Sequence, residues 1–333
     1  SGGTVLNGAV IRIGHPQALG IGPLTINGGS INQTTNAPLI GVPSQTWAGD
    51  FSLSCTAGPI NLGSSPVTLT SSRRINIDNG KAFVGGDISG SGTGLTFVGS
   101  QYSASLTFRG TNTFDGGLTL SSGSALLTLN IGNASALGTG TFTLEGLGNS
   151  RFDNVVSNLT TLTTNNPQNW KQNFTFPGSY SLDMGTGAVA LSTNTIVTVS
   201  AKTLTIGGTI TNGALPFLLT KAGAGTLALA GANLYSGGTV VTGGTLSVES
   251  SGKLGTGSVT VFPGATLTLK NSESLANNAT VNLLKTGTSY GKVNLATGVV
   301  EQVGSVVYEG TTYNSTGMSF GSVGSGSTLE NNN

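Results

Sequence analysis

The sequence predicts an all-β fold, a right-handed single-stranded parallel β-helix of about fifteen coils. Three observations predict it. Short runs that alternate apolar and polar residues recur along all 333 residues. Glycine supplies 54 positions, concentrated at the breaks between those runs. The pattern repeats at two lengths, which is the mark of a solenoid.

The strands come first. Val67-Thr68-Leu69-Thr70, Ile75-Asn76-Ile77-Asp78, Leu204-Thr205-Ile206, Thr226-Leu227-Ala228-Leu229 and Val259-Thr260-Val261 each read apolar-polar-apolar. That is the period of a half-buried strand. Threonine suits the outer positions because it is β-branched and tolerates water. Gly-Gly, Asn-Gly, Gly-Thr-Gly and Pro-Gly lie between the runs and form turns. No ten-residue stretch has a convincing helical period, and Ala136-Leu137-Gly138 makes one helical turn at most.

The repeat decides how the strands are used. Leu106-Thr107-Phe108-Arg109-Gly110-Thr111-Asn112-Thr113-Phe114-Asp115-Gly116-Gly117 matches Leu227-Ala228-Leu229-Ala230-Gly231-Ala232-Asn233-Leu234-Tyr235-Ser236-Gly237-Gly238, shifted by 121. Trp47-Ala48-Gly49-Asp50-Phe51 matches Trp170-Lys171-Gln172-Asn173-Phe174, shifted by 123. Gly85-Gly86-Asp87-Ile88-Ser89 matches Gly207-Gly208-Thr209-Ile210-Thr211, shifted by 122. Ala-Leu-Gly and Lys-Leu-Gly corners recur at Ala18, Ala136 and Lys253.

These anchors divide one continuous solenoid into blocks of about 1–115, 116–236 and 237–333. The third block is partial and reads as a C-terminal cap. Its Lys285, Lys292, Glu301 and Glu309 concentrate charge where an edge must resist pairing. A strand-turn-strand unit cannot bury its apolar face alone, but stacked coils can. With about 20 residues and ~4.8 Å per coil, the expected rod is about 70 Å long. Right-handed crossovers follow from the twist of parallel strands.

Composition restricts function. Lys and Arg number 13 and Asp and Glu 12, so there is no concentrated basic face for nucleic acid. No run of 18 apolar residues exists, so this chain is not expected to insert a helix into a membrane. Ser1-Gly2-Gly3-Thr4 is neither a Met start nor a signal peptide and reads as part of a longer or processed chain. Cys55 is alone and reads as a small buried residue. Phosphate-loop and zinc spacings do not occur, and no metal or cofactor is expected.

The segment Leu218-Leu219-Thr220-Lys221-Ala222-Gly223-Ala224-Gly225-Thr226-Leu227-Ala228-Leu229-Ala230-Gly231-Ala232-Asn233-Leu234-Tyr235-Ser236-Gly237-Gly238-Thr239 resembles the autotransporter-associated β-strand repeat. Gly243-Gly244-Thr245-Leu246 continues it. The match is weaker around Phe108 to Gly117, where Gly99-Ser100-Gln101-Tyr102 replaces the Lys-x-Gly-x-Gly lead-in. The resemblance implies a right-handed parallel β-helix of a secreted or surface-exposed bacterial protein, with a structural or adhesive role. It carries no catalytic residues.

The expected function is a non-catalytic extracellular stalk, adhesin or fibre segment. Its expected partners are a further copy joined end to end, surface glycans, or a host or matrix receptor. The structural repeat positions are Asn112, Asn233, Phe114, Tyr235, Gly116, Gly117, Gly237 and Gly238. An alternative is a glycan-binding module whose exposed aromatics are Trp47, Trp170 and Tyr102, although both Trp residues also suit interior packing. A further alternative is a polysaccharide-cleaving enzyme. Asp50, Asp78, Asp87, Asp115, Asp153 and Asp183 qualify for that by residue type only. Arg73-Arg74 reads as a solvated turn pair and His15 as a loop residue.

Overall fold

The computed structural model describes residues 2–34, 37–55, 58–99, 102–148, 150–314, 319–322 and 329–331. Every regular element among the described residues is a β-strand. The chain divides into two compact units, Ser1–Gln168 and Asn169–Asn333, and the strands of each stack as a parallel β-solenoid. The described residues make about thirteen turns.

Two features bring the turn number below about fifteen. Many coils are longer than twenty residues. Leu106 pairs with Leu129, 23 positions on, and Leu267 with Val293, 26 on. The chain also runs back on itself near its C-terminal end. Lys285–Thr286 pairs antiparallel with Ser289–Tyr290, Ser305–Tyr308 with Thr311–Asn314, and Val300–Gln302 with Ser319–Ser322.

In the first unit, Arg73–Val84 is a 12-residue strand that serves two ladders. Its first half lies between Phe51–Ser54 and Leu95–Gly99, and its second half between Ile60–Asn61 and Ala104–Phe108. Between the halves the register skips Asp78, and Gly80 takes a φ of 76° that a side chain would strain. Beyond it both ladders keep register. Leu95, Leu118 and Phe142 form one inward column, and Leu106, Leu129 and Phe152 another. All six are buried. Rings close the gap between the ladders: Phe97 meets Phe108 edge-on at 5.4 Å, and Phe142 meets Phe152 at 5.6 Å. Each buried Leu or Phe contributes roughly 1.5–3 kcal/mol, so the columns carry much of the stability.

The second unit repeats the principle. Leu204, Leu227, Leu246 and Leu267 stack in one column, and Ile206, Leu229, Val248 and Leu269 stack beside it. On a facing ladder the inward column reads Val197, Lys221, Val241, Val261. A lysine therefore stands in an apolar column, and all four residues are fully buried.

The ladder edge of Ser305–Tyr308 is occupied by the antiparallel strand Thr311–Asn314 rather than repelled by charge. Lys285 and Glu309 form an exposed ion pair, with the Lys285 ammonium also 4.9 Å from the Tyr290 ring centroid. Lys292 is exposed, but Glu301 is fully buried.

Coils approach so closely at some corners that only glycine fits. A Cβ at Gly86 would lie 1.8 Å from the carbonyl oxygen of Ser65, and one at the equivalent Gly208 would lie 1.8 Å from that of Gly187. At Gly14 the nearest atom is a hydroxyl at 3.5 Å. Gly208→Ala is therefore expected to destabilise the fold by about 2 kcal/mol or more, whereas Gly14→Ala stays within ~0.5 kcal/mol. Denaturant unfolding of the two variants beside the parent checks this, and equal midpoints for all three would refute it.

Candidate functional site

The repeat positions meet at the corners between strands. There the parallel ladder runs out and backbone groups need other partners. Asn112 is buried, and its Oδ1 accepts the Ile88 N–H at 2.9 Å while its Nδ2 donates to the Ala136 carbonyl at 2.7 Å. Those partners lie one coil behind and one coil ahead. Asn233 does the same between the Ile210 N–H at 2.8 Å and the Lys253 carbonyl at 2.7 Å. An amide suits the position because it offers an acceptor and a donor on one planar group.

A second pair of equivalents binds the coils from outside. Asp50 Oδ1 accepts the Arg74 N–H at 2.8 Å, and Asn173 Oδ1 accepts the Ile196 N–H at 2.8 Å. Asp87 likewise accepts the Thr111 N–H of the next coil at 2.7 Å, whereas Asp183 accepts the N–H of Gly185, two residues on in its own coil, at 2.8 Å. Asp50, Asp87 and Asp183, considered above as catalytic candidates by type, hold backbone N–H groups.

Trp47 and Trp170 are fully buried. Trp47 packs edge-on against Phe51 at 5.2 Å, and Trp170 against Phe174 at 4.9 Å. Neither indole offers a face to a sugar, which corrects their reading as exposed platforms. Their alternate-position spacing from buried neighbours turns both rings inward. Tyr102 is 61% exposed.

Phe114 and Tyr235 are also fully buried, each just before a Gly-Gly pair. The pairs behave alike: Gly117 has a φ of 97° and Gly238 one of 94°, while a Cβ at Gly116 or Gly237 would meet backbone at 2.4 or 2.2 Å. The Tyr235 hydroxyl lies 2.7 Å from Thr239 Oγ1, and burial pushes its pKa up to about 12. In the earlier block the two positions are Phe114 and Leu118, so a hydroxyl pair replaces an apolar pair as a unit.

Two buried charges escaped the sequence reading of these positions. Lys221 Nζ donates to the carbonyls of Ala222, Gly223 and Gly243 at 2.9, 2.8 and 3.0 Å. Its three protons are thus matched by three acceptors, while burial lowers its pKa to about 8. Its place in a Lys-x-Gly-x-Gly lead-in was the available signal, because the glycines expose the carbonyls it ties. Glu301 accepts the consecutive N–H groups of Ser274 at 2.9 Å and Leu275 at 2.8 Å. Burial raises its pKa to about 7, against the pull of those two donors and of Lys253, and Glu273 adds to the rise. No local sequence feature marks that contact.

Elsewhere, Arg73 is not a solvated residue. Its side chain is 13% exposed and its Nε donates to the Trp47 carbonyl at 3.2 Å. His15 Nδ1 accepts the Gln17 N–H at 3.1 Å in an exposed loop. Cys55 is buried, which pushes its thiol up to about 11. Among the described residues, no three His, Cys, Asp or Glu side chains converge in a metal-binding group.

A corner-tied solenoid of this kind is a scaffold of repeats, and comparison with known proteins identifies the repeat. The passenger-associated-transport-repeat family model matches residues 101–124 and 219–248. The chain is also 44% identical, over 105 residues, to a protein named Adhesin BmaC autotransporter from Brucella suis biovar 1 (strain 1330). That alignment covers 31% of this chain and 2% of the relative. No solved structure gives a significant match. The chain is thus a β-solenoid in which two segments match the passenger-associated-transport repeat.

Asn233→Leu removes both bonds of a buried bridge and leaves the Ile210 N–H and Lys253 carbonyl to find new partners. The expected loss is about 2–4 kcal/mol, and Asn233→Asp, which keeps the acceptor, loses less. Thermal unfolding in neutral buffer orders the three proteins, and an unchanged Asn233→Leu would show that the bridge is dispensable.

Glu301 predicts a pH dependence. Its folded pKa of about 7 stands above the ordinary 4.5, so in that window the folded chain holds a proton the unfolded chain has lost. Stability is therefore gained as pH falls from above 7 towards 4.5, by an amount on the order of 2 kcal/mol. Unfolding curves between pH 8 and pH 5 test the sign, and Glu301→Gln is expected to flatten this contribution.

Proposed function

We propose that this chain is a non-catalytic structural segment of a secreted or surface-exposed bacterial protein, a β-helical stalk of adhesin type. The observation that carries the reading is the use of polar side chains at equivalent repeat positions. Asn112, Asn233, Asp50 and Asn173 are spent on joining coils. The repeat match and the similarity to a named autotransporter adhesin support the same reading.

The stalk is favoured over a fibre that grows head to tail. The antiparallel strand Thr311–Asn314 occupies the edge of Ser305–Tyr308 that an incoming coil would need. A glycan-cleaving role gains no support from Asp50, Asp87 and Asp183, which bind backbone N–H groups.

The test is immunogold labelling of intact and permeabilised cells of the source organism, with electron microscopy of the purified chain at two concentrations. Labelling of intact cells and concentration-independent single particles are expected. Labelling only after permeabilisation would overturn the surface assignment, and long filaments would overturn the preference for a stalk.

A further inference from the structure

The first unit carries a groove of about 400 Å³ on its outer surface. Its floor is Gly63 and Gly85, stacked in successive coils so closely that a Cβ on Gly85 would lie 2.9 Å from the Gly63 carbonyl oxygen. With no side chains there, the neighbours stand as walls. Phe83 is outward-facing and half-buried, Asn61 pairs with it in the ladder, and Ile40 is 48% exposed. Arg109 and Ser64 are exposed along the lining.

The chemistry left over in this groove is one-sided. The carbonyls of Asn61, Gly63, Phe83 and Val84 already accept from Leu39, Gly85, Leu62 and Arg109 N–H groups, at 2.9, 2.8, 2.9 and 3.1 Å. Asn61 Oδ1 accepts the Gly63 N–H at 3.1 Å. Among the described residues, the lining side-chain groups still to be satisfied are the donors of the Arg109 guanidinium and Asn61 Nδ2, and the Ser64 hydroxyl, which can donate or accept. No acidic side chain lines the groove. An added peptide strand needs alternate donors and acceptors from a free edge, and the carbonyls of Asn61, Gly63, Phe83 and Val84 are already engaged. A ligand that brings acceptors and an apolar face fits instead.

We propose that this groove binds an oligosaccharide bearing a carboxylate, such as a uronic or sialic acid. The Arg109 fork pairs with the carboxylate, for which its geometry is suited. The C–H face of the pyranose ring lies on Phe83, which buries apolar surface on both, and Asn61 and Ser64 donate to ring substituents. The volume falls in the range of small-ligand sites. The proposal deepens the adhesive side of the stalk reading by assigning a ligand class to one place on it.

Calorimetric or NMR titration of the intact chain tests it, with trigalacturonate, 3′-sialyllactose and neutral lactose as probes. At least one acidic sugar is expected to bind, with lactose weaker by about tenfold or more. Arg109→Gln is expected to lose that preference with a melting temperature little changed, because among the described residues its guanidinium makes no hydrogen bond or ion pair. Phe83→Ala is expected to weaken the acidic and neutral sugars together. Absence of binding by both acids at millimolar concentration, equal binding of lactose, or undiminished binding by Arg109→Gln would each overturn the proposal. None of these results bears on whether the chain is displayed at a cell surface.

Discussion

Everything in this structure depends on the parallel hydrogen-bond ladder between successive coils. Each strand spends its N–H and C=O groups on the coils before and after it, so no strand is stable alone and no coil can shift without its neighbours. The ladder also imposes one spacing of ~4.8 Å between coils. Corners must fit that spacing although coil lengths differ: Leu227 and Leu246 are 19 positions apart, while Leu267 and Val293 are 26 apart. Within strands the variation shows only as local register skips, as at Asp78. The larger differences are taken up in the corners, where glycine permits backbone to meet backbone.

The corners explain why a chain with so few charges still needs particular polar residues. A backbone group that leaves the ladder and stays buried needs a partner. Asn112 and Asn233 supply one to the coil on each side, and Lys221 ties three carbonyls of two neighbouring turns. The repeat preserves the task more strictly than the residue. Asp50 and Asn173 share an acceptor role, and Phe114 with Leu118 fills the space that Tyr235 with Thr239 fills through a hydroxyl contact. Substitution is tolerated there because the hydroxyl pair enters or leaves together, so no buried oxygen is stranded.

This use of polar groups also bears on function. A surface whose carbonyls are committed to neighbouring coils and whose side chains tie corners has little left with which to bind anything. The groove over Gly63 and Gly85 is a place where the commitment is incomplete and the unspent groups share one chemical character. The groove is also a place where one coil departs from its equivalent: the position of Arg109 is held by Ala230 in the later block.

The sequence by itself determined the fold class, the glycine corners and the phase of the repeat. Apolar-polar alternation, as in Leu204-Thr205-Ile206, requires a strand with one face buried, and anchors 121 to 123 residues apart require equivalent surroundings. It left Trp47 and Trp170 between interior packing and a glycan-facing platform, and the fold places both inside. Nor did it separate the last antiparallel strands from further coils, since both show the same alternation and only the neighbour differs. Glu301 is the clearest case for tertiary structure. In sequence it is one charge among several near the C-terminus, whereas in the fold two N–H groups from 26 and 27 residues away converge on its carboxylate. Periodicity acts along the chain and can be read there, but a buried charge is decided by which distant backbone groups the stacking brings to it.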